Sequence, residues 1–257
     1  LQQNVEVITQ PHQKWGWVLS MSDWSKFLGI PLWFWLFVLP TIISLVCLFL
    51  QNKLEKIFNP IWKILDKVYY YSGIIAATSM CLILFIIIAQ MITRWTGIIF
   101  EGSTEFAGYA MASTSFFALA YALSKGAHIR VSIFLNLNSF TKKWLDIFAL
   151  FTASIIATFF ARYAIKTNFM SEMLNDRTQG QDQIPEAIIY ILEMFITSPT
   201  NWQSLWSNYE GKWIFTPIWI PQLPMSIGTI LLAVCLWDHL SRLLITNKSG
   251  IKSDIVK

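Results

Sequence analysis

The residues best suited to metal, redox or nucleophilic chemistry are few in this chain. They are His12, His128, His239, Cys47, Cys81 and Cys235. Zinc sites need three or four such ligands at short spacings, and bis-histidine haem sites need a facing pair. No such spacing occurs, and no nucleophile stands beside a base or paired carboxylates in a catalytic pattern. The sequence therefore predicts no catalytic residue, no metal site, no cofactor bound by this chain and no enzymatic activity.

The remaining ionisable groups lie near the ends of apolar runs. Glu101 and Glu105 are four residues apart, where a helix dipole favours carboxylates and Arg94 is within reach. A structural ion pair is the favoured interpretation over an ion site. Asp238 and Arg242 have the same spacing and predict a second pair. Charge-free run centres argue against ion conduction by this chain alone.

The elements that carry these residues are apolar runs of membrane-spanning length. Apolar residues make up 55% of the chain and charged residues 13%, whereas soluble domains contain about 25% charged residues. A helix of about 20 residues crosses the hydrocarbon core. The runs predict an all-α polytopic membrane protein of about five helices, at 32–50, 70–93, 103–123, 145–163 and 218–240. The first run begins about thirty residues in and is too long for a cleavable signal peptide.

Further patterns flank these runs. Segment 52–67 alternates apolar and lysine positions at helical spacing, which predicts an amphipathic interfacial helix, and 184–195 predicts another. Gly108 and Ala112 begin a stripe of small residues that either packs the bundle or meets a partner. Pro221 and Pro224 mark the entry to the last helix.

Charge asymmetry predicts orientation, because lysine and arginine gather in cytoplasmic loops. The connections after the first and third helices and the tail are basic, whereas the connection 94–102 and the insert 164–217 are not. We therefore expect the N-terminus outside, on the periplasmic side, and the C-terminus in the cytoplasm. The net positive charge is expected to face membrane lipids, not nucleic acid. The predicted organisation is an N-terminal extension (1–67), a membrane domain (68–245) with the outer insert, and a cytoplasmic tail (246–257).

Two motifs carry a family resemblance. The stretch 105–134, EFAGYAMASTSFFALAYALSKGAHIRVSIF, and the stretch 216–234, TPIWIPQLPMSIGTILLAV, resemble the small membrane subunit of tripartite ATP-independent periplasmic (TRAP) transporters, the DctQ-like small permease. His128 and Arg130 lie in the GAHIRV turn, where they meet lipid phosphates or a partner's carboxylates, or simply snorkel. The family usually has an acidic residue where Ser132 stands, and the first helix adds to its usual four-helix body.

The resemblance implies a complex in the bacterial inner membrane. Its partners are a large TRAP membrane subunit and a periplasmic substrate-binding protein, and the complex uses a sodium gradient to import organic acids such as dicarboxylates. This chain is expected to scaffold the large subunit, and its insert to help dock the binding protein. The alternatives are a membrane-anchor subunit of a respiratory oxidoreductase and a free-standing small transporter or channel.

Overall fold

The structure, a computed structural model, describes residues 26–49, 51–125, 139–196, 202–207 and 209–246. Within these residues it is almost entirely helical. Four helices are long and apolar enough to cross a membrane, and a shorter apolar helix, Phe34–Phe49, precedes them. The all-α polytopic architecture predicted from the apolar runs is confirmed.

The N-terminal part of this region contains a short strand pair and the shorter helix. β1 (Lys26–Phe27) pairs with β2 (Ile30–Pro31) in antiparallel fashion. Helix α1 (Phe34–Phe49) begins with a π-helical stretch, Phe34–Val38, and continues as α-helix over Leu39–Phe49. Its 5 π-helical and 11 α-helical residues would span about 24 Å at 1.5 Å per residue. That is less than the hydrocarbon thickness of about 30 Å. The first span, predicted at 32–50, is therefore observed as a helix that is shorter than the core is thick, and it is shorter than the other four.

Helix α2 (Gln51–Thr96) is a single helix of 46 residues. The sequence predicts two elements here, an interfacial helix at 52–67 and a span at 70–93, but the structure has no break between them. No glycine or proline stands between Lys67 and Gly73 to end the first element, so the hydrogen-bonded backbone continues. At about 69 Å, α2 is more than twice as long as the hydrocarbon core is thick.

Three further long helices complete the four-helix body, which we define as α2, α3, α4 and α7. They are α3 (Ser103–Ser124), α4 (Ser139–Met173) and α7 (Trp219–Thr246). α2 packs on α3, α4 packs on α7, and α3 joins the two pairs by packing on α7. The last turns of α7 are buried on all sides, since every residue from Asp238 to Ser241 and from Leu243 to Ile245 is buried.

The insert between α4 and α7 contains short elements. β3 (Gln183–Pro185) pairs antiparallel with β4 (Trp213–Phe215), and between them lie α5 (Glu186–Ile196) and α6 (Trp202–Trp206). The helix predicted at 184–195 therefore exists as α5. Its main described contacts are with α6 and β3.

Candidate partner-binding surface

At one end of the four-helix body, a buried carboxylate accepts hydrogen bonds from neighbouring elements. Asp182 lies just before β3 and its exposed fraction is 0%. The Tyr109 hydroxyl on α3 donates to one carboxylate oxygen. The Thr178 hydroxyl lies 2.8 Å from Oδ1, and the Thr216 hydroxyl donates to the Asp182 carbonyl at 2.7 Å. We call these four residues the Asp182 cluster, and it connects α3, the insert and the entry to α7.

The electrostatics of this cluster favour an ionised carboxylate. Burial by itself would raise the pKa of Asp182, but hydrogen bonds to the carboxylate from Tyr109 and Thr178 outweigh it and hold the pKa below its usual value. Gly102, in the left-handed region at φ 73°, allows the close approach, because a Cβ there would lie 2.8 Å from the Asp182 Cα. The cluster therefore satisfies its own polar groups.

The opposite end of the body is fastened by an arginine. Arg242 Nη2 lies 2.9 Å from Asp238 Oδ2 and 2.7 Å from Asp66 Oδ1. It also donates to the Trp62 carbonyl at 3.2 Å and stands over the Trp62 ring, while the Tyr69 hydroxyl donates to Asp238 at 3.3 Å. We call these five residues the Arg242 cluster. The predicted Asp238–Arg242 pair is present in it, and it joins the last turns of α7 to α2.

Between the two clusters, one face of α3 is exposed in the described part of the chain. We call Thr104, Gly108, Met111 and Ser115 the α3 stripe, and all four are exposed. A Cβ added at Gly108 would meet no atom within 4 Å, and Ala112 beside the stripe is half-buried. The sequence offered two roles for these small residues, packing within the bundle or contact with a partner. At Gly108, no packing against another described residue is observed.

The close helix contacts within the chain occur at other glycines. A Cβ at Gly228 on α7 would lie 2.6 Å from the Phe116 carbonyl oxygen, and a Cβ at Gly73 on α2 would lie 2.6 Å from the Tyr121 ring. Sequence reasoning missed both positions. Each glycine stands alone in an apolar run, and only the neighbouring helix reveals its role.

The predicted group around Arg94 is not brought together. Among the residues that the structure describes, no ion pair joins Arg94 to Glu101 or Glu105. Glu105 Oε1 instead accepts from the backbone N–H of Gln181 at 3.3 Å, next to the Asp182 cluster. Glu101 is exposed in the connection, and Arg94 is exposed at the end of α2. The turn at Gly97, with φ 74°, separates Arg94 from the start of α3.

The other predicted residues are placed as follows. Pro221 and Pro224 are half-buried in the first two turns of α7. Pro221 lies among the four helix positions whose N–H has no intrahelical partner, so its missing donor costs nothing there. His128 and Arg130 lie outside the described residues.

A family model matches the middle of the chain. Residues 83–198 match the family described as tripartite ATP-independent periplasmic transporters, DctQ component. The matched segment begins within α2, includes α3 and α4, and ends just after α5, so the resemblance stated for 216–234 lies outside it. No curated protein and no solved structure matches the chain.

The matched family is a transporter component rather than an enzyme family. The match and the four apolar helices support a small subunit of a TRAP transporter in the inner membrane. The respiratory-anchor alternative gains no support. Within the described residues there is no group of three or more histidine, cysteine or acidic residues that could hold a metal ion.

Proposed function

We propose that this chain is the static membrane subunit of its TRAP transporter and that it holds a larger transport subunit in the bilayer. The match of residues 83–198 to the DctQ family carries the proposal. The segments 68–93, 147–161 and 219–237, in α2, α4 and α7, contain no charged residue. A path for a charged solute needs polar groups at membrane depth, and the substrate site therefore belongs to the larger subunit.

The α3 stripe is the proposed contact with that subunit. In lipid, helices associate where small residues let their backbones approach closely, because apolar side chains gain little by leaving the lipid. The stripe offers such positions at Gly108 and Ser115, and the neighbouring α7 exposes Ile227, Ile230 and Val234. These two helices pack together, so their exposed faces can form one surface.

Affinity purification in mild detergent tests this proposal. The chain, tagged at its C-terminus, should recover a much larger, many-helix membrane protein at one-to-one stoichiometry. Gly108→Trp should abolish that recovery because it fills the proposed contact. Ala77→Trp is the matched control, since Ala77 is an exposed small residue on α2, and it should leave recovery unchanged. Equal recovery with both variants would exclude the α3 stripe, and no larger partner would exclude the scaffold role.

The proposed orientation places the C-terminus in the cytoplasm and the Asp182 cluster on the periplasmic side. Four spans then place the start of α2 in the cytoplasm, so a periplasmic N-terminus requires α1 to cross the membrane as well. Cysteine labelling with a membrane-impermeant reagent in spheroplasts measures this. A cysteine in place of exposed Trp213 should react, whereas one in place of exposed Lys63 should not.

The insert is proposed to help dock the periplasmic binding protein. It exposes a stacked aromatic pair, with the rings of Trp206 and Tyr209 5.1 Å apart, and the Tyr190 ring packs edge-on against Tyr209. Trp206→Ala should weaken binding of the binding protein to the reconstituted complex. Trp144→Ala is the control, because both tryptophans are 48% exposed and Trp144 lies at the start of α4. An equal affinity for both variants would refute the docking role.

The complex is further proposed to import organic acids with sodium. Uptake by proteoliposomes that contain the purified complex should depend on an inward sodium gradient, whereas this chain alone should give no flux. An absorption spectrum between about 400 and 600 nm separates the remaining alternative, because a respiratory anchor would carry haem.

A further inference from the structure

The connection between α2 and α3 exposes an unusual amount of apolar surface. Trp95 is 80% exposed and Ile99 82% exposed, and Ile98 between them is also exposed. The backbone fixes this arrangement. Gly97 adopts the left-handed conformation at φ 74°, and the Ile98 N–H donates to the Thr93 carbonyl at 3.0 Å. This Schellman ending stops α2 without help from the rest of the protein.

The position of the connection gives this surface a partner. It follows directly on the charge-free stretch 68–93, so it lies where the hydrocarbon core gives way to lipid headgroups. Tryptophan rings and apolar side chains are stable at that depth, whereas in water they would be a liability. The exposed residues therefore fit lipid better than an aqueous loop.

The same connection also forms an open surface cavity whose lining includes the cationic side chain of Arg94. The cavity has a volume of about 310 Å³, and it is lined by Gln90, Thr93, Arg94, Gly97, Ile98, Ile99 and Phe100. Arg94 is the charged residue of this lining and makes no ion pair with a described residue. The nearest carboxylate in sequence, Glu101, follows the last lining residue but does not line the cavity.

We propose that this cavity binds the phosphodiester group of a membrane phospholipid. The Arg94 guanidinium presents a planar set of donors that matches two phosphate oxygens. Beside it, Trp95, Ile98 and Ile99 contact the upper part of the acyl chains. The charge and the apolar rim together match an amphipathic anion, whereas a free phosphate would leave the rim exposed to water. The site anchors the outer turn of α2 at a fixed depth.

Photocrosslinking tests this site directly. The full chain, with any membrane partner that copurifies, is reconstituted with phosphatidylglycerol that carries a diazirine on its acyl chain, and adducts are mapped after pepsin digestion. We expect adducts on residues 95–100. Arg94→Gln should reduce them about tenfold, because it removes a hydrogen bond to a charged group. Tenfold corresponds to about 1.4 kcal/mol. Arg94→Lys should retain part of the adduct, because it keeps the charge but loses the planar fork.

The control is Lys63→Gln, which removes an exposed cation elsewhere on α2. It should leave the adducts on 95–100 unchanged, as should millimolar inorganic phosphate. Equal adducts in wild type and Arg94→Gln would overturn the proposal, because the labelling would then reflect lipid exposure alone. Loss of the larger subunit in Arg94→Gln with unchanged lipid adducts would also overturn it and would assign Arg94 to a protein partner.

Discussion

At one end of the four-helix body a buried carboxylate is held by hydroxyl groups, and at the other end a buried carboxylate is held by an arginine. The Asp182 cluster uses neutral donors from α3, the insert and the entry to α7. The Arg242 cluster pairs one cation with two acids and a tryptophan. Both hold their buried carboxylates near helix ends, and the segments 68–93, 147–161 and 219–237 between those ends are free of charge.

Because the two clusters differ in chemistry, substitutions in them should affect the stability of the protein to different degrees. Removal of Arg242 leaves the buried Asp238 carboxylate without its cation, which is costly in a low-dielectric environment. Removal of one hydroxyl from the Asp182 cluster leaves the other donors in place, and each neutral hydrogen bond contributes only about 1 kcal/mol. A single substitution at Arg242 should therefore cause a large loss of stability, whereas a single substitution in the Asp182 cluster should cause a small one.

The largest effect is expected for Arg242→Met. The side chain of Asp238 is 2% exposed, and loss of its cation should lower the free energy of unfolding by about 3–5 kcal/mol. Thermal unfolding of the purified protein in detergent measures this. The double variant Asp238→Asn/Arg242→Met removes both charges and should recover most of the loss.

Asp66→Asn is the control for the exposed part of the cluster, because the side chain of Asp66 is 55% exposed. This variant should cost about 1 kcal/mol or less. An Arg242→Met protein as stable as wild type would refute the contrast between the two ends.

A smaller and more local effect is expected for Asp182→Ala. It removes the acceptor for Tyr109 and Thr178 and should destabilise the contact between insert and body by about 2 kcal/mol, the scale of leaving buried donors unsatisfied. Limited proteolysis should then cut within 176–217 faster while the four long helices stay protected. Asp182→Asn keeps one carbonyl acceptor and should show an intermediate rate. Faster cleavage throughout the chain would mean that this cluster supports the whole body, as the Arg242 cluster does.

Sequence reasoning recovered the two clusters unequally. The spacing of Asp238 and Arg242 on one helix predicted their pair, because residues four apart share a helical face. Asp66 and Tyr69 were missed, since they lie about 170 positions away and no local pattern connects them to α7. Asp182 was missed for a different reason. It stands in an irregular segment with other polar residues, and its burial depends on α3, which is distant in sequence.

The helices themselves were predicted where sequence boundaries are sharp. The span predicted at 103–123 is observed as Ser103–Ser124, because Gly102 and Lys125 bound the apolar run. The span predicted at 145–163 extends to Met173, since polar residues such as Lys166 end the apolar run but not the helix. Apolar runs report the part of a helix that meets lipid, so they underestimate helices that continue beyond the membrane.

The smallest predicted effect is a dependence on pH at the Asp182 end. The pKa of Asp182 is lowered in the folded protein, so its carboxylate stabilises the fold at pH values above its unfolded pKa of about 3.9. This contribution is lost as pH falls through the folded pKa, because the protonated form no longer accepts the same hydrogen bonds. Proteolysis within 176–217 should therefore accelerate below pH 4 in wild type, with an acid-active protease such as pepsin. Asp182→Asn should be less stable than wild type at pH 7 and should approach wild type in acid, because an amide does not titrate. A constant difference between the two proteins across this range would show that Asp182 is not held as an ionised carboxylate, and the contrast with the arginine-held end would then disappear.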